Sequence, residues 1–454
     1  MKLKHLSTAM ILATLPATGV FAAALDRSGQ SISAFLQPGN YFEAGISVLD
    51  PDVAGKEAGT IKTGRNIGDM GDDYYFPSAA LKLQLTDKFS FGLLYDQPFG
   101  ADAEYSGNNA FVASPSDPIL GTLPITTGAL GGTQGATSVE VDSQNISMIF
   151  GFQPTENFNF YGGGVYQTIK GNVHLRGSAY SLYNGYDASI PEDGAAGWLA
   201  GAAFQIPEIA LKASITYRSE IDHKIDADET IALADSITAN AGALGSTIGQ
   251  LVAAGQLTPA QAGAIQQTIG KAIAANQLEG KTTITTPQSV NLDFQTGIMA
   301  NTVAFANVRW VNWKDFAIRP YKFGKVSEAV GPIATPSRPN GFNLVEYSDD
   351  QWSVNAGVGR KLNDKWAGNV SVGWDSGAGN PVTTLGPTEG YWNVGVGVQY
   401  SPTPQTFIAG GVKYFWLGDA KAQTGAQAGS DDYYVAEFSD NNAIAYGLKL
   451  GYKF

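Results

Sequence analysis

Apolar and polar residues alternate with period two along most of this chain. One face collects Leu81, Leu83 and Leu85, then Phe89, Phe91, Leu93 and Tyr95, then Ile146, Met148, Phe150 and Phe152. Similar runs follow at Trp198 to Ile206, Ile209 to Tyr217, Val290 to Ile298, Trp352 to Val358, Val370 to Trp374 and Val394 to Tyr400. Opposite faces carry Lys82, Gln84, Ser214, Arg218, Asn291, Asp293, Asn355, Asn369, Ser371, Asn393 and Gln399. Period two is the repeat of a strand, whose successive side chains point to opposite faces. Runs of about 9–11 residues suit tilted strands that cross a bilayer. The last run sets Ile444, Tyr446, Leu448, Leu450, Tyr452 and Phe454 against Ala445, Gly447, Lys449, Gly451 and Lys453, and closes on an aromatic residue. Such an ending is what an outer-membrane assembly machinery reads on a barrel strand.

The connections alternate in length. Tight turns are expected at Thr86 to Lys88, Pro154 to Asn157, Ile206 to Glu208, Ala300-Asn301, Asn363-Asp364 and Ser401 to Pro404, with long segments between them. Short periplasmic turns and long external loops produce that pattern, and the runs imply an all-β transmembrane antiparallel β-barrel of about fourteen strands. Aromatic residues at strand ends, such as Tyr74-Tyr75-Phe76 and Trp310 with Trp313, suit an interfacial girdle. One connection differs: from about 228 to 279 the chain is rich in Ala, Gln and Gly, with apolar residues at helical spacing. Thr258-Pro259 reads as a helix start, so two amphipathic helices are expected in this external loop. Their apolar stripes either pack on each other and the barrel rim or wall a groove for a ligand.

Composition narrows the class. The 454 residues hold 55 Gly and no Cys, with a mean hydropathy of -0.08. An alternating barrel masks its apolarity in such an average. Residues 1–23 read as a secretory leader: Lys2, Lys4 and His5, a short apolar stretch, then small residues around Ala22-Ala23-Ala24. Together with the strand pattern this predicts the outer membrane of a Gram-negative bacterium. The formal net charge of -13 argues against nucleic acid as a partner. Barrel assembly machinery, outer-membrane lipids and lipopolysaccharide are the expected surroundings.

Several segments resemble the outer-membrane long-chain fatty-acid transporter family of the FadL/TodX type. Tyr95-Asp96-Gln97-Pro98-Phe99-Gly100, followed by Tyr105, is similar to that family's Asn-x-Pro-Phe-Gly segment in the third strand. Tyr217-Arg218-Ser219-Glu220 with His223-Lys224, and Trp310-Val311-Asn312-Trp313-Lys314-Asp315-Phe316, resemble further strand motifs of the family. The resemblance covers nearly the whole chain after the leader. It implies an N-terminal hatch at residues 24–40 plugging a barrel of residues 41–454, external capture of a hydrophobic small molecule such as a fatty acid, and lateral release at a kinked third strand. Gln37-Pro38-Gly39 stands where the family often has Asn-Pro-Ala. The residues supply their own reason for a kink: Pro98 cannot donate to a strand ladder and Gly100 tolerates unusual dihedrals. Pro98 at the external end of the strand is the simpler alternative.

Candidate site residues follow. Gln97, Pro98, Phe99 and Gly100 form the expected lateral opening. Arg218, Arg309 and Lys413, with Phe99, are the ligand-binding candidates, since Arg offers a bidentate fork to a carboxylate. Glu220 or Asp293 could instead pair with these cations. A water-filled porin for small polar solutes is the competing class. Only His174 and His223 follow the leader, no nucleophile spacing is recognisable, and neither a catalytic role, a cofactor nor a metal is expected.

Overall fold

The computed structural model describes residues 25–118, 126–130, 133–334 and 338–454; the leader reading falls outside them. Alternation becomes a ring of strands: β1 (Tyr41–Asp52), β2 (Tyr74–Gln84), β3 (Phe89–Asp96), β4 (Ser138–Phe152), β5 (Phe158–Leu175), β6 (Tyr186–Ile206) and β7 (Leu211–Arg218). It continues through β8 (Ser289–Met299), β9 (Thr302–Val311), β10 (Gln351–Lys361), β11 (Trp366–Asp375), β12 (Tyr391–Tyr400), β13 (Thr406–Leu417) and β14 (Asn442–Lys453). Each strand pairs antiparallel with its sequence neighbours, and β1 closes on β14 from Tyr41↔Lys453 to Asp52↔Asn442. Of the 16 strands in this sheet, Gly100–Glu104 and Asp228–Ile231 lie off the ring, leaving a closed fourteen-stranded barrel. Closure leaves the ring with no edge strand, as the bilayer demands because it offers no water to unpaired backbone groups.

The facing follows the sequence pattern. Val370, Val372, Trp392, Val394, Val396 and Leu448 point outward and are exposed, an apolar belt that only lipid can cover. Inward positions are buried and polar or small, including Ser371, Asn393, Lys413 and Ala445. All six expected tight turns join neighbouring strands at one end, and the long connections gather at the other. β5 runs without a break through Gly162, Gly163 and Gly164; a Cβ at Gly163 would lie 1.8 Å from the Met148 carbonyl oxygen, so only glycine lets β4 approach there.

The long connections build an external cap with its own core. The helical loop contains three helices rather than the expected two: α1 (Ala232–Ala239), α2 (Ala241–Ala253) and α3 (Pro259–Asn276). The first stretch breaks at Asn240, whose φ of -113° and ψ of 23° are not helical. Thr258 and Gln261 form a reciprocal capping box at the start of α3, with Pro259 in the first turn. A fourth helix, α4 (Tyr321–Ala334), was not anticipated, although Phe323, Val326 and Val330 carry a helical spacing. Its N-terminus is capped by Glu229, whose carboxylate accepts from the backbone N–H groups of Lys322 and Phe323 at 2.8 Å each.

Candidate functional site

Residues 25–40 lie inside the barrel. Gly29 (φ 62°) and Gly39 (φ 69°) supply left-handed turns at either end of a compact loop in which Phe35 N–H donates to the Ile32 carbonyl. Phe35 is fully buried and meets Tyr161 edge-on at 5.6 Å. The barrel wall makes room for it with glycine: a Cβ on Gly92 would stand 2.4 Å from the Phe35 ring, and one on Gly151 2.9 Å.

Charges tether the same segment. Arg309 Nε donates to Asp26 Oδ2 at 2.6 Å, with Nη2 at 3.3 Å from Asp26 Oδ1 and 3.1 Å from Gln30 Oε1. Arg218 Nη2 donates to the Gln30 carbonyl at 3.1 Å, Asn291 to the Gly29 carbonyl at 2.8 Å, and Ser28 to Asp96 at 2.5 Å. Lys212 and Lys82 reach the Leu36 and Gly39 carbonyls, each at 2.8 Å. Arg218 and Arg309 thus come together on Gln30, from strands far apart in sequence. Neither pairs with Glu220: Arg218 instead bonds Ser147 at 3.3 Å and the plug, because Glu220 lies beyond the end of β7. Asp293 bonds Ser214 and Asn307. Lys413 stands apart on the luminal face of β13, buried, with its stem beside Gly395. His223 is fully buried between Asp193 and Gln167, each 3.1 Å from a ring nitrogen.

The third strand is interrupted where Pro98 predicts it. β3 ends at Asp96↔Asn145, and pairing with β4 resumes at Gly100↔Asp142, so three residues bulge opposite two. On the other side, β2 pairs with β3 only as far as Ala79↔Tyr95. Above that point Tyr74 to Ser78 pair with β1 alone, and the wall parts. The bulge is held by the plug and by one hydroxyl. Arg27 N–H donates to the Pro98 carbonyl at 2.6 Å, Gly100 N–H to the Leu25 carbonyl at 2.9 Å, and Ser143 Oγ bonds both the N–H and the carbonyl of Phe99. A cavity of about 210 Å³ opens here, lined by Arg27, Tyr74, Phe76, Gln97, Phe99 and Asp102 among others.

A larger cavity, about 770 Å³, lies in the external cap. Its walls include Tyr180, Tyr183, α1, α3, Phe323, Phe342 and Leu385. Sequence reasoning offered a groove at the helical loop as one of two alternatives but missed α4, Phe342 and the loop around Thr424, since no local pattern says which loops meet. An aromatic series runs from this cavity toward the broken strand: Tyr180 meets Phe111 at 6.1 Å, and Phe111 stacks on Tyr105 at 4.3 Å. Tyr105 immediately follows the resumed strand, while Phe99 at its base packs edge-on against the fully buried Trp313 at 5.6 Å. Trp313 Nε1 is in turn fixed by Gln351 at 2.7 Å.

The family profile described as "Outer membrane protein transport protein (OMPP1/FadL/TodX)" matches residues 131–454. A Pseudomonas aeruginosa FadL homologue shares the fold with a TM-score of 0.62 at 13% identity, over 93% of this chain and 92% of its own. The Pseudomonas putida toluene transporter TodX gives 0.55 at 12% identity over 99% and 97%, and the Ralstonia pickettii toluene transporter TbuX 0.50 at 10% over 96% and 97%. A search of curated protein sequences returns no match. A closed fourteen-stranded barrel, plugged from its N-terminus and matched by that profile over most of its length, belongs to the OMPP1/FadL/TodX family of non-enzymatic transport channels of the Gram-negative outer membrane.

Proposed function

We propose that this channel takes up long-chain fatty acids or other hydrophobic compounds passively, capturing them in the external cavity and releasing them sideways through the break in β3. The observation that carries this reading is the parted wall between β2 and β3, backed by a cavity that Phe99 helps to line. Lipopolysaccharide obstructs apolar solutes at the cell surface, and an apolar cavity above an opening into the membrane bypasses it. Phe99 is the ligand contact of this route. Arg218 and Arg309 are cations that a carboxylate would meet only on displacing Asp26 and Gln30, and Lys413 is a third luminal cation. A general porin needs an open lumen, whereas here Phe35 and the tethered plug occupy it. The test is to delete Gln97 to Gly100. Uptake should vanish while the barrel remains folded and heat-modifiable, and undiminished uptake would refute lateral release. Swelling of proteoliposomes in small sugars would instead support the porin.

A further inference from the structure

Resting on the uptake of hydrophobic compounds in that reading, and narrowing it away from fatty acids, we infer that the channel selects uncharged hydrophobic molecules and discriminates against carboxylates. Two separate places in the molecule support this.

The first is the external cavity. None of its described lining residues is Asp, Glu, Lys, Arg or His. The wall's longer polar groups are already engaged within the protein. Tyr183 donates to the Phe323 carbonyl at 2.8 Å and Tyr180 to Thr384 Oγ1 at 3.0 Å. Gln261 is held in the capping box of α3, and Gln427 bonds Thr424 N–H at 3.1 Å and Thr60 Oγ1 at 3.0 Å. A carboxylate drawn into this space would give up water and find no counter-charge, a loss that an ester or hydrocarbon of the same length does not suffer.

The second is the exit. The cavity at the β3 break is bordered by three carboxylates, Asp73, Asp102 and Asp142, against the single guanidinium of Arg27. That guanidinium lies over the Tyr74 ring at 4.2 Å and donates to the Tyr74 hydroxyl at 3.1 Å, so one positive charge stands against the three carboxylates. Lys170 balances Asp142 from outside at 3.2 Å, but Glu140 sits directly across from Asp102 in the ladder and adds another negative charge. Beside a low-dielectric membrane such an excess repels anions. An uncharged molecule passes both places without electrostatic cost.

The test uses the full-length channel in nanodiscs, with N-phenyl-1-naphthylamine as a neutral fluorescent probe displaced at pH 8 by decanoate or by methyl decanoate. The ester should displace the probe at a concentration at least tenfold lower than the acid. Thr268→Lys, which adds a cation to the cavity wall on α3, should shrink that gap to threefold or less. In cells, Asp73→Asn with Asp102→Asn should raise decanoate uptake several-fold relative to the ester. Equal displacement by acid and ester in the unaltered protein would overturn the charge selection while leaving hydrophobic uptake intact. Failure of both to displace the probe from a folded barrel would overturn the uptake reading itself.

Discussion

Arg309→Ala is the sharpest test of how the lumen is sealed. The guanidinium spans the plug and the wall, bonding Asp26 at 2.6 Å, Gln30 at 3.1 Å and, on β8, Asn291 at 2.8 Å. Its side chain is 3% exposed and that of Asp26 8%, so removing one partner strands the other charge away from water. Breaking a buried pair in this way costs about 3–5 kcal/mol. Because Asp26 regains water only when the plug leaves, the penalty falls on plug docking and not on the strand ladders. At about 1.4 kcal/mol per tenfold, the undocked population should rise by roughly 10²–10⁴. The chain has no Cys, so Ile32→Cys introduces a single thiol at a position 1% exposed. Its modification by a maleimide then reports undocking. In the Arg309→Ala background this rate should rise by at least about a hundredfold, with the barrel still heat-modifiable. Asp26→Ala added to Arg309→Ala should recover much of the protection, since removing both charges leaves nothing stranded. An unchanged rate in the single variant would show that the pair does not hold the plug.

Other perturbations probe separate parts of the structure. Phe35→Ala should cost plug docking about 3–5 kcal/mol, the range for truncating a buried Phe, and Gly92→Val should displace the same ring, both read by the thiol reporter. Protease added to intact cells should cut within residues 226–281 and spare Pro154 to Asn157; cleavage at that turn would invert the topology. Glu389, in the external loop before β12, has its carboxyl pushed up from its ordinary 4.5 to about 7, chiefly by burial, with Asp375 and Asp349 adding to the rise and the Gly379 N–H opposing it. The folded state therefore holds that proton more tightly than the unfolded one, and local stability should fall as pH rises from about 4.5 to about 7. The protection of residues 376–390 against hydrogen exchange, taken relative to the intrinsic rate at each pH, should fall over that interval in the unaltered protein and lose the dependence in Glu389→Gln.

Local alternation was enough to reveal the barrel, because period two puts a residue on the lipid or the lumen face regardless of distant partners. Val394, Val396 and Val398 face outward for that reason alone, and Pro98 marks the broken strand because its missing N–H is a property of one residue. Asn240, by contrast, divides a helix within an apolar stretch whose spacing hides the break, and α4 owes its start to Glu229, 92 positions before Tyr321. The luminal charges show the limit most clearly. Sequence placed Arg218 and Arg309 inside the barrel but offered Glu220, a near neighbour in the chain, Asp293 or a ligand as their counterpart. Asp26 lies 283 residues from Arg309, and only barrel closure brings the two within bonding distance. Pairing of buried charges is decided by distance in space, which strand register and plug docking set together. The alternation of side chains is decided by backbone geometry, which each stretch of sequence carries for itself.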